Sequence, residues 1–111
     1  MKIKTIYLFR HGEIEPRYKE KYIGHFDAGL SFNGIQQNKK IDKFIKKLKD
    51  CVVVTSDLKR TYTGISKKLS KSRDLREISF GQWECRSWKE VIKKYRKESA
   101  SYLKGPENFT F

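Results

Sequence analysis

Two short runs of β-branched and aromatic residues determine which fold class this 111-residue chain can adopt. The first spans Lys2 to Phe9 and ends in Arg10-His11-Gly12. The second spans Cys51 to Thr55 and ends in a polar turn. Apolar runs of this length, bounded by polar residues, are typical of buried strands. Helical periodicity fills the space between them, so the pattern predicts an α/β domain with a mainly parallel sheet.

The first predicted helix begins after Ser31, whose hydroxyl suits an N-cap. Its apolar residues follow the i, i+3, i+4, i+7 spacing of one helix face: Ile41, Phe44, Ile45 and Leu48. Periodicity also predicts a second helix over 58–69. Ser87 and Glu90 form a capping box that opens a third helix. Residues 74–80, between those two helices, are predicted to form a short strand.

Length and cysteine content limit the class of protein. The length suits one domain over residues 1–111, and no apolar run approaches the ~18–20 residues of a membrane-spanning helix. Cys51 and Cys85 are too few for a disulfide framework or a four-cysteine zinc site. We therefore expect free thiols, no metal site and a cytoplasmic location.

The formal net charge of +13 raises the question of nucleic-acid binding. Residues 1–50 carry 12 basic and 6 acidic side chains, and residues 51–111 carry 14 and 7, so the excess is spread along the chain. A nucleic-acid-binding protein usually gathers its basic residues in one patch or stripe. We interpret the charge as a solvated, lysine-rich surface whose field concentrates small anions. A basic module that binds RNA or an acidic partner is the alternative.

Basic side chains follow both predicted strands. Arg10 and His11 end the first strand, and Arg60 lies in the first turn of the helix after the second. In open α/β sheets, ligands bind beyond the carboxyl ends of the strands. Arginine matches phosphate oxygens with two parallel hydrogen bonds, and histidine can attack phosphorus. These residues indicate a phosphoryl site, although a structural histidine at a strand end also fits them.

Four sequence blocks in a fixed order point to one family. They are Ile6 to Glu13 (IYLFRHGE), Tyr22 to Ser31 (YIGHFDAGLS), Thr55 to Thr61 (TSDLKRT) and Leu75 to Glu84 (LREISFGQWE). Together they resemble the histidine phosphatase superfamily, which includes the cofactor-dependent phosphoglycerate mutases. The second and fourth blocks are most similar to the α-ribazole phosphatase branch, which serves cobalamin biosynthesis. The resemblance implies a three-layer, phosphoglycerate mutase-like fold.

The resemblance also implies roles for single residues. His11 is the implied nucleophile, and Glu77 is the implied proton donor to the leaving group. The residues implied to bind phosphate are Arg10, Arg60 and Gly12. Gly24 and His25 lie where the family contacts its substrate. No metal or other cofactor is implied, because the arginines neutralise the charge of the phosphoryl group.

The function that the resemblance implies is phosphomonoester hydrolysis through a phosphohistidine intermediate. The implied partners are inorganic phosphate and a small phosphorylated metabolite, with α-ribazole 5′-phosphate favoured, and neither a membrane nor a nucleic acid. A sugar-phosphate phosphatase or mutase is the alternative among enzymes.

The chain departs from the family in length, because it matches only the N-terminal half of a typical member. The later half of the family supplies a second histidine beside the phosphate and a strand between those that match residues 3–9 and 51–55. Here His11 and His25 are the two histidines of the sequence. A truncated phosphatase, one half that pairs with another chain, and a short binding protein without catalysis all fit. An incomplete sheet also predicts self-association through its exposed edges.

Overall fold

The structure, a computed structural model, describes Lys2 and residues 4–111. Along the chain its helices and strands are α1 (Phe32–Lys46), β1 (Val53–Thr55), α2 (Lys59–Tyr62), β2 (Leu69–Lys71), α3 (Trp88–Lys94) and α4 (Arg96–Lys104). Single turns of 3-10 helix lie at Pro16–Tyr18, Arg73–Leu75, Gly81–Trp83 and Pro106–Asn108. Within the described residues, no helix has the length and apolar character that a membrane crossing requires.

β1 and β2 pair in parallel, with Val53 opposite Leu69 and Thr55 opposite Lys71. Parallel neighbours need a crossover connection, and α2 lies in that connection. The parallel pair among helices confirms the predicted α/β class. Because α2 begins just after β1, it carries Arg60 to the carboxyl edge of the sheet, where a ligand site is expected.

The second helix and the second strand differ from the prediction. α2 ends at Tyr62 and not at Leu69, because Thr63 leaves the helical region and Gly64 adopts a φ of +84°. The chain then runs through residues 65–68, which form neither helix nor strand, and pairs with β1 from Leu69 onward as β2. Residues 74–80, predicted as a strand, instead contain the end of the 3-10 turn Arg73–Leu75 and an irregular segment that leads to the turn Gly81–Trp83.

The prediction of a first strand over Lys2 to Phe9 is wrong for residues 4–9. Ile3, which also belongs to that predicted strand, lies outside the described residues. Residues 4–9 form no strand, and Leu8 is 90% exposed. A strand exists only through hydrogen bonds to a neighbouring strand, and no described segment supplies these to residues 4–9. The sequence run has the composition of a buried strand without the partner that would make it one.

α1 forms as predicted but buries a partly polar face. The Ser31 hydroxyl accepts a hydrogen bond from the N–H of Gly34, which caps the helix. In the predicted apolar stripe Ile45 is buried, whereas Phe44 is 39% exposed. The residues that α1 buries are Gly34, Asn38, Asp42 and Ile45. Two of them have hydrogen-bonding side chains, so this face forms specific polar contacts as well as apolar ones.

A cluster of aromatic rings surrounds Trp83, which is buried. Its ring lies 5.0–6.1 Å, between centroids, from the rings of Tyr22, Trp88, Tyr102, Phe109 and Phe111. This cluster holds the C-terminal helices and the chain end against the segment around Tyr22. The predicted third helix is two helices, because Tyr95 interrupts it with a ψ of 59°. The Ser87 cap is as predicted, since its hydroxyl accepts from the N–H of Glu90.

Candidate active site

The turn that carries His11 is fixed to α1. The N–H of Gly12 donates to Oδ1 of Asn38 over 2.7 Å. A methyl group on Gly12 would overlap the backbone of Gly34 in α1, so only glycine allows this approach. The structure therefore gives Gly12 a contact with α1 that the sequence did not predict, and its role in binding phosphate stays a prediction.

His11 has a defined tautomer. Its Nδ1 lies 2.7 Å from the carbonyl oxygen of Gly12, and a carbonyl can only accept, so Nδ1 carries the proton and Nε2 carries the lone pair. Burial lowers the pKa of His11. The positive charges of Arg60 and Arg10 lower that pKa further, against the raising effects of the Gly12 hydrogen bond and the Glu77 carboxylate. The neutral imidazole favoured by these effects is the nucleophilic form.

Arg60 is a buried cation, 5% exposed. Its Nη1 donates to the carbonyl oxygen of Phe26 over 2.8 Å, and its Nη2 donates to that of Gly24 over 2.7 Å. Among the described residues it forms no ion pair. A buried charge is costly unless an opposite charge accompanies it. Arg60 thus has hydrogen-bond partners for two of its nitrogens and no ion pair among the described residues, while the negative charges of Asp27, Glu77 and Glu84 act on it from a greater distance.

The segment that carries Glu77 is held by its neighbour Arg76. Nε and Nη2 of Arg76 donate to the two carboxylate oxygens of Asp57 over 2.6 and 2.7 Å. The hydrogen bonds from Arg76 hold the pKa of the Asp57 carboxyl below its usual range. Paired hydrogen bonds of this kind fix geometry as well as charge. The pair joins the turn after β1 to the segment of Glu77, whose Oε1 accepts from the N–H of Ile78 over 3.0 Å.

Gly24 and His25 occupy a loop that Arg60 and Glu84 hold from two sides. Gly24 has a φ of +56°, and a Cβ there would lie 2.5 Å from Oε1 of Glu84. That carboxylate oxygen accepts from the N–H of His25 over 2.7 Å and from the N–H of Phe80 over 3.2 Å. Glu84 is therefore a structural partner of the loop.

Two adjoining clefts, of about 640 and 400 Å³, meet at the predicted residues. The residues that line both clefts are Arg10, His11, Arg60 and Glu77. Gly12 and Gly24 line the larger cleft. His25, predicted to contact substrate, lines neither. The structure therefore brings together the implied nucleophile, the implied acid and both arginines, and it leaves His25 outside this group.

Sequence reasoning missed Asn38 and the pairing of Asp57 with Arg76. Asn38 is a polar residue on the helix face that also carries Ile45, and an interruption of an apolar face is the signal that could have revealed it. The Asp57–Arg76 pair joins residues 19 positions apart and has no local signal. Within the described part of the chain, no three His, Cys, Asp or Glu side chains form a group that could hold a metal ion.

Comparison with known proteins identifies the family. The model of the histidine phosphatase superfamily (branch 1) matches residues 6–111. The chain belongs to the histidine phosphatase superfamily. A 6-phosphofructo-2-kinase/fructose-2,6-bisphosphatase from Rattus norvegicus is 35% identical over an alignment of 102 residues, and the match covers 87% of this chain and 21% of that protein. An adenosylcobalamin/alpha-ribazole phosphatase from Escherichia coli is 27% identical over an alignment of 94 residues, and the match covers 78% of this chain and 46% of that protein.

Comparison with solved structures confirms the expected fold. The alpha-ribazole phosphatase from Shigella flexneri superposes with a TM-score of 0.77 at 21% identity, over 88% of this chain and 52% of that one. The phosphoglycerate mutase-like α/β fold predicted from the sequence is therefore correct. This chain spans about half the length of the α-ribazole phosphatases it matches and about a fifth of the 6-phosphofructo-2-kinase/fructose-2,6-bisphosphatase, in keeping with the length difference expected from the sequence.

The lowered pKa of His11 predicts how the stability of the fold depends on pH. The unfolded chain binds a proton near pH 6.5 and the folded chain at a lower pH, so acidification through this range favours the unfolded state. We expect NMR titration to give a His11 pKa below 6.5, and the free energy of unfolding in urea to fall as the pH drops from about 7.5 to 5.5.

The variant His11→Ala serves as the control, and it should lose this part of the pH dependence. A His11 pKa at or above 6.5 would contradict this prediction. So would the same pH dependence of the free energy of unfolding in the wild-type protein and in His11→Ala.

Proposed function

We propose that this site hydrolyses phosphomonoesters through a phosphohistidine formed at His11. The observation that carries the proposal is that His11, whose pKa is lowered, and the buried Arg60, which forms no ion pair among the described residues, line the same clefts. A phosphoryl group supplies a negative charge in direct contact with Arg60 and brings a phosphorus atom to the lone pair of the imidazole. Membership of the histidine phosphatase superfamily supports the same chemistry.

The proposed reaction has two steps. In the first, Nε2 of His11 forms a bond to phosphorus while the bond from phosphorus to the ester oxygen breaks. Arg10 and Arg60 stabilise the charge on the phosphoryl oxygens, and Glu77 in its acid form gives a proton to the departing alkoxide. In the second step water attacks phosphorus, the Glu77 carboxylate takes a proton from that water, and the phosphorus–nitrogen bond breaks to release phosphate. The arginines neutralise the charge, so the proposal includes no metal.

The larger cleft supports a substrate with a flat ring. Tyr18, Tyr22 and Phe80 line it, and the rings of Tyr22 and Phe80 lie 5.0 Å apart between centroids. Charged side chains of both signs, Lys19 and Lys21 with Glu13 and Glu20, line the same cleft. Aromatic walls favour aromatic ligands through stacking and edge contacts. The favoured substrate in this proposal is α-ribazole 5′-phosphate, and the likeness to α-ribazole phosphatases supports it.

A sugar phosphate is the second candidate substrate. The 35% identity to a 6-phosphofructo-2-kinase/fructose-2,6-bisphosphatase, higher than that to the α-ribazole phosphatase, favours this candidate. The third candidate is a basic module without catalysis that binds RNA or an acidic partner, and the formal net charge of +13 supports it. The two experiments below separate these candidates.

The first experiment measures turnover with three substrates: para-nitrophenyl phosphate, α-ribazole 5′-phosphate and fructose 2,6-bisphosphate. We expect turnover on all three, with kcat/KM highest for α-ribazole 5′-phosphate, and none in His11→Ala. In Glu77→Gln we expect kcat/KM to fall about 10²-fold or more on α-ribazole 5′-phosphate, an alkyl ester whose departing alkoxide needs a proton. The fall should be smaller on the aryl ester para-nitrophenyl phosphate.

Glu98→Gln, an exposed carboxylate on α4 that lines neither cleft, is the control for Glu77. A folded protein without turnover on any of these esters would refute hydrolysis. A preference for fructose 2,6-bisphosphate would favour the second candidate.

The second experiment measures the affinity for inorganic phosphate. Arg10 is exposed, so Arg10→Ala should fold normally while its phosphate Kd rises about tenfold through loss of a charge-assisted hydrogen bond. Arg96→Ala removes the same charge from α4, outside both clefts, and should leave the Kd unchanged. Calorimetry gives both values.

Equal Kd values in the two variants would contradict a phosphate site at Arg10. If RNA binding then weakened steeply with salt and equally in both variants, the basic module would be favoured over the phosphatase.

A further inference from the structure

We propose that Asn38 is a positioning residue of this site, which holds the His11 turn at a fixed place relative to Arg60. The inference rests on the proposed function, because the pair it positions is the proposed nucleophile and phosphate-binding arginine. Neither ligand binding nor a proton transfer is assigned to Asn38 itself.

The carboxamide of Asn38 is enclosed, with 1% of the residue exposed. Its Oδ1 accepts from the N–H of Gly12 over 2.7 Å. Its Nδ2 donates to the carbonyl oxygen of Arg60 over 3.1 Å and to that of Thr63 over 2.8 Å. Because an N–H only donates and a carbonyl only accepts, these partners allow one orientation of the amide group. One side chain therefore bonds three backbone groups in a fixed geometry.

These three groups belong to the two segments whose separation matters for the proposed reaction. Gly12 follows His11 directly. Arg60 lies in the first turn of the short helix α2, and Thr63 follows the last residue of that helix. Among the described residues, no backbone hydrogen bond joins residues 10–12 to α2 or to β1. The hydrogen bonds of Asn38 are thus the polar link between the two segments. A displacement of about 1 Å between reacting groups can cost up to about 10²-fold in rate.

Asp42 offers a matched control one helical turn further along α1. It is 6% exposed and belongs to the same buried face. Its Oδ1 accepts from the N–H of Ser66 over 2.9 Å. Neither Asp42 nor Ser66 lines a cleft. Loss of the Asp42 side chain removes the polar contacts of another buried residue of α1, its hydrogen bonds from Ser66 and its ion pair with Lys46, without touching the His11 turn. It therefore separates general destabilisation from positioning.

The experiment compares Asn38→Ala with Asp42→Ala by NMR titration of His11 and by phosphate calorimetry. In Asn38→Ala we expect the pKa of His11 to rise toward 6.5, because the imidazole becomes less buried and moves away from Arg60. We expect phosphate affinity to fall about tenfold in the same variant. Asp42→Ala should leave both readouts at the wild-type values. Equal changes in the two variants, or a wild-type His11 titration in Asn38→Ala, would overturn the proposal.

The titration separates this inference from the proposed function. A wild-type protein that binds no phosphate, together with a raised His11 pKa in Asn38→Ala, would refute the function and leave the positioning intact. If Asn38→Ala does not fold, hydrogen exchange in the wild-type protein tests the positioning role of Asn38. The N–H of Gly12 donates to Asn38, and that of Thr63 donates to the carbonyl oxygen of Lys59 within α2. The proposal requires these two N–H groups to be protected equally, because the carboxamide of Asn38 makes the two segments open together. Much faster exchange at Gly12 would overturn it.

Discussion

The hydrogen bonds of one buried carboxamide, that of Asn38, hold together the parts of the molecule that would carry out the proposed reaction. They join the turn after His11 to the helix that carries Arg60. Arg60 in turn fixes the Gly24 loop through backbone carbonyls. The Arg76 pair with Asp57 fixes the segment of Glu77. The site is therefore organised by side chains that bond to backbone and to one another, because β1 and β2, of three residues each, are too short to position four segments.

The sheet explains why so much depends on these side chains. Within the described residues β1 pairs with β2 alone, and the apolar Ile6 and Val52 are 71% and 70% exposed. The radius of gyration is 16.9 Å, against about 13 Å for a compact domain of this length. Large exposed apolar patches mark interaction surfaces. This shape accords with a chain that spans about half the length of its relatives. It also motivates the proposal that the chain associates with itself or with another chain through the open edge.

Local signals predicted much of this structure, and long-range pairing limited the rest. The Ser31 cap, the helix after it and the strand at 53–55 each follow from a few neighbouring residues. The motifs that contain His11, Arg60 and Glu77 were recognisable through their resemblance to the histidine phosphatase superfamily, to which the chain belongs. The strand predicted for residues 2–9 failed over 4–9, because composition supplies strand propensity but no partner. The helix predicted over 58–69 failed because a parallel pairing across 16 positions, Val53 to Leu69, outweighed local periodicity.

Trapping the phosphorylated enzyme is the most direct test of the account. The protein is incubated with para-nitrophenyl phosphate, quenched in alkali, in which phosphohistidine survives, and digested with trypsin for mass spectrometry. The account predicts a phosphoryl group on the peptide that begins at His11, and no such group in His11→Ala. A phosphoryl group on another residue, or ester hydrolysis without any phosphorylated peptide, would contradict it.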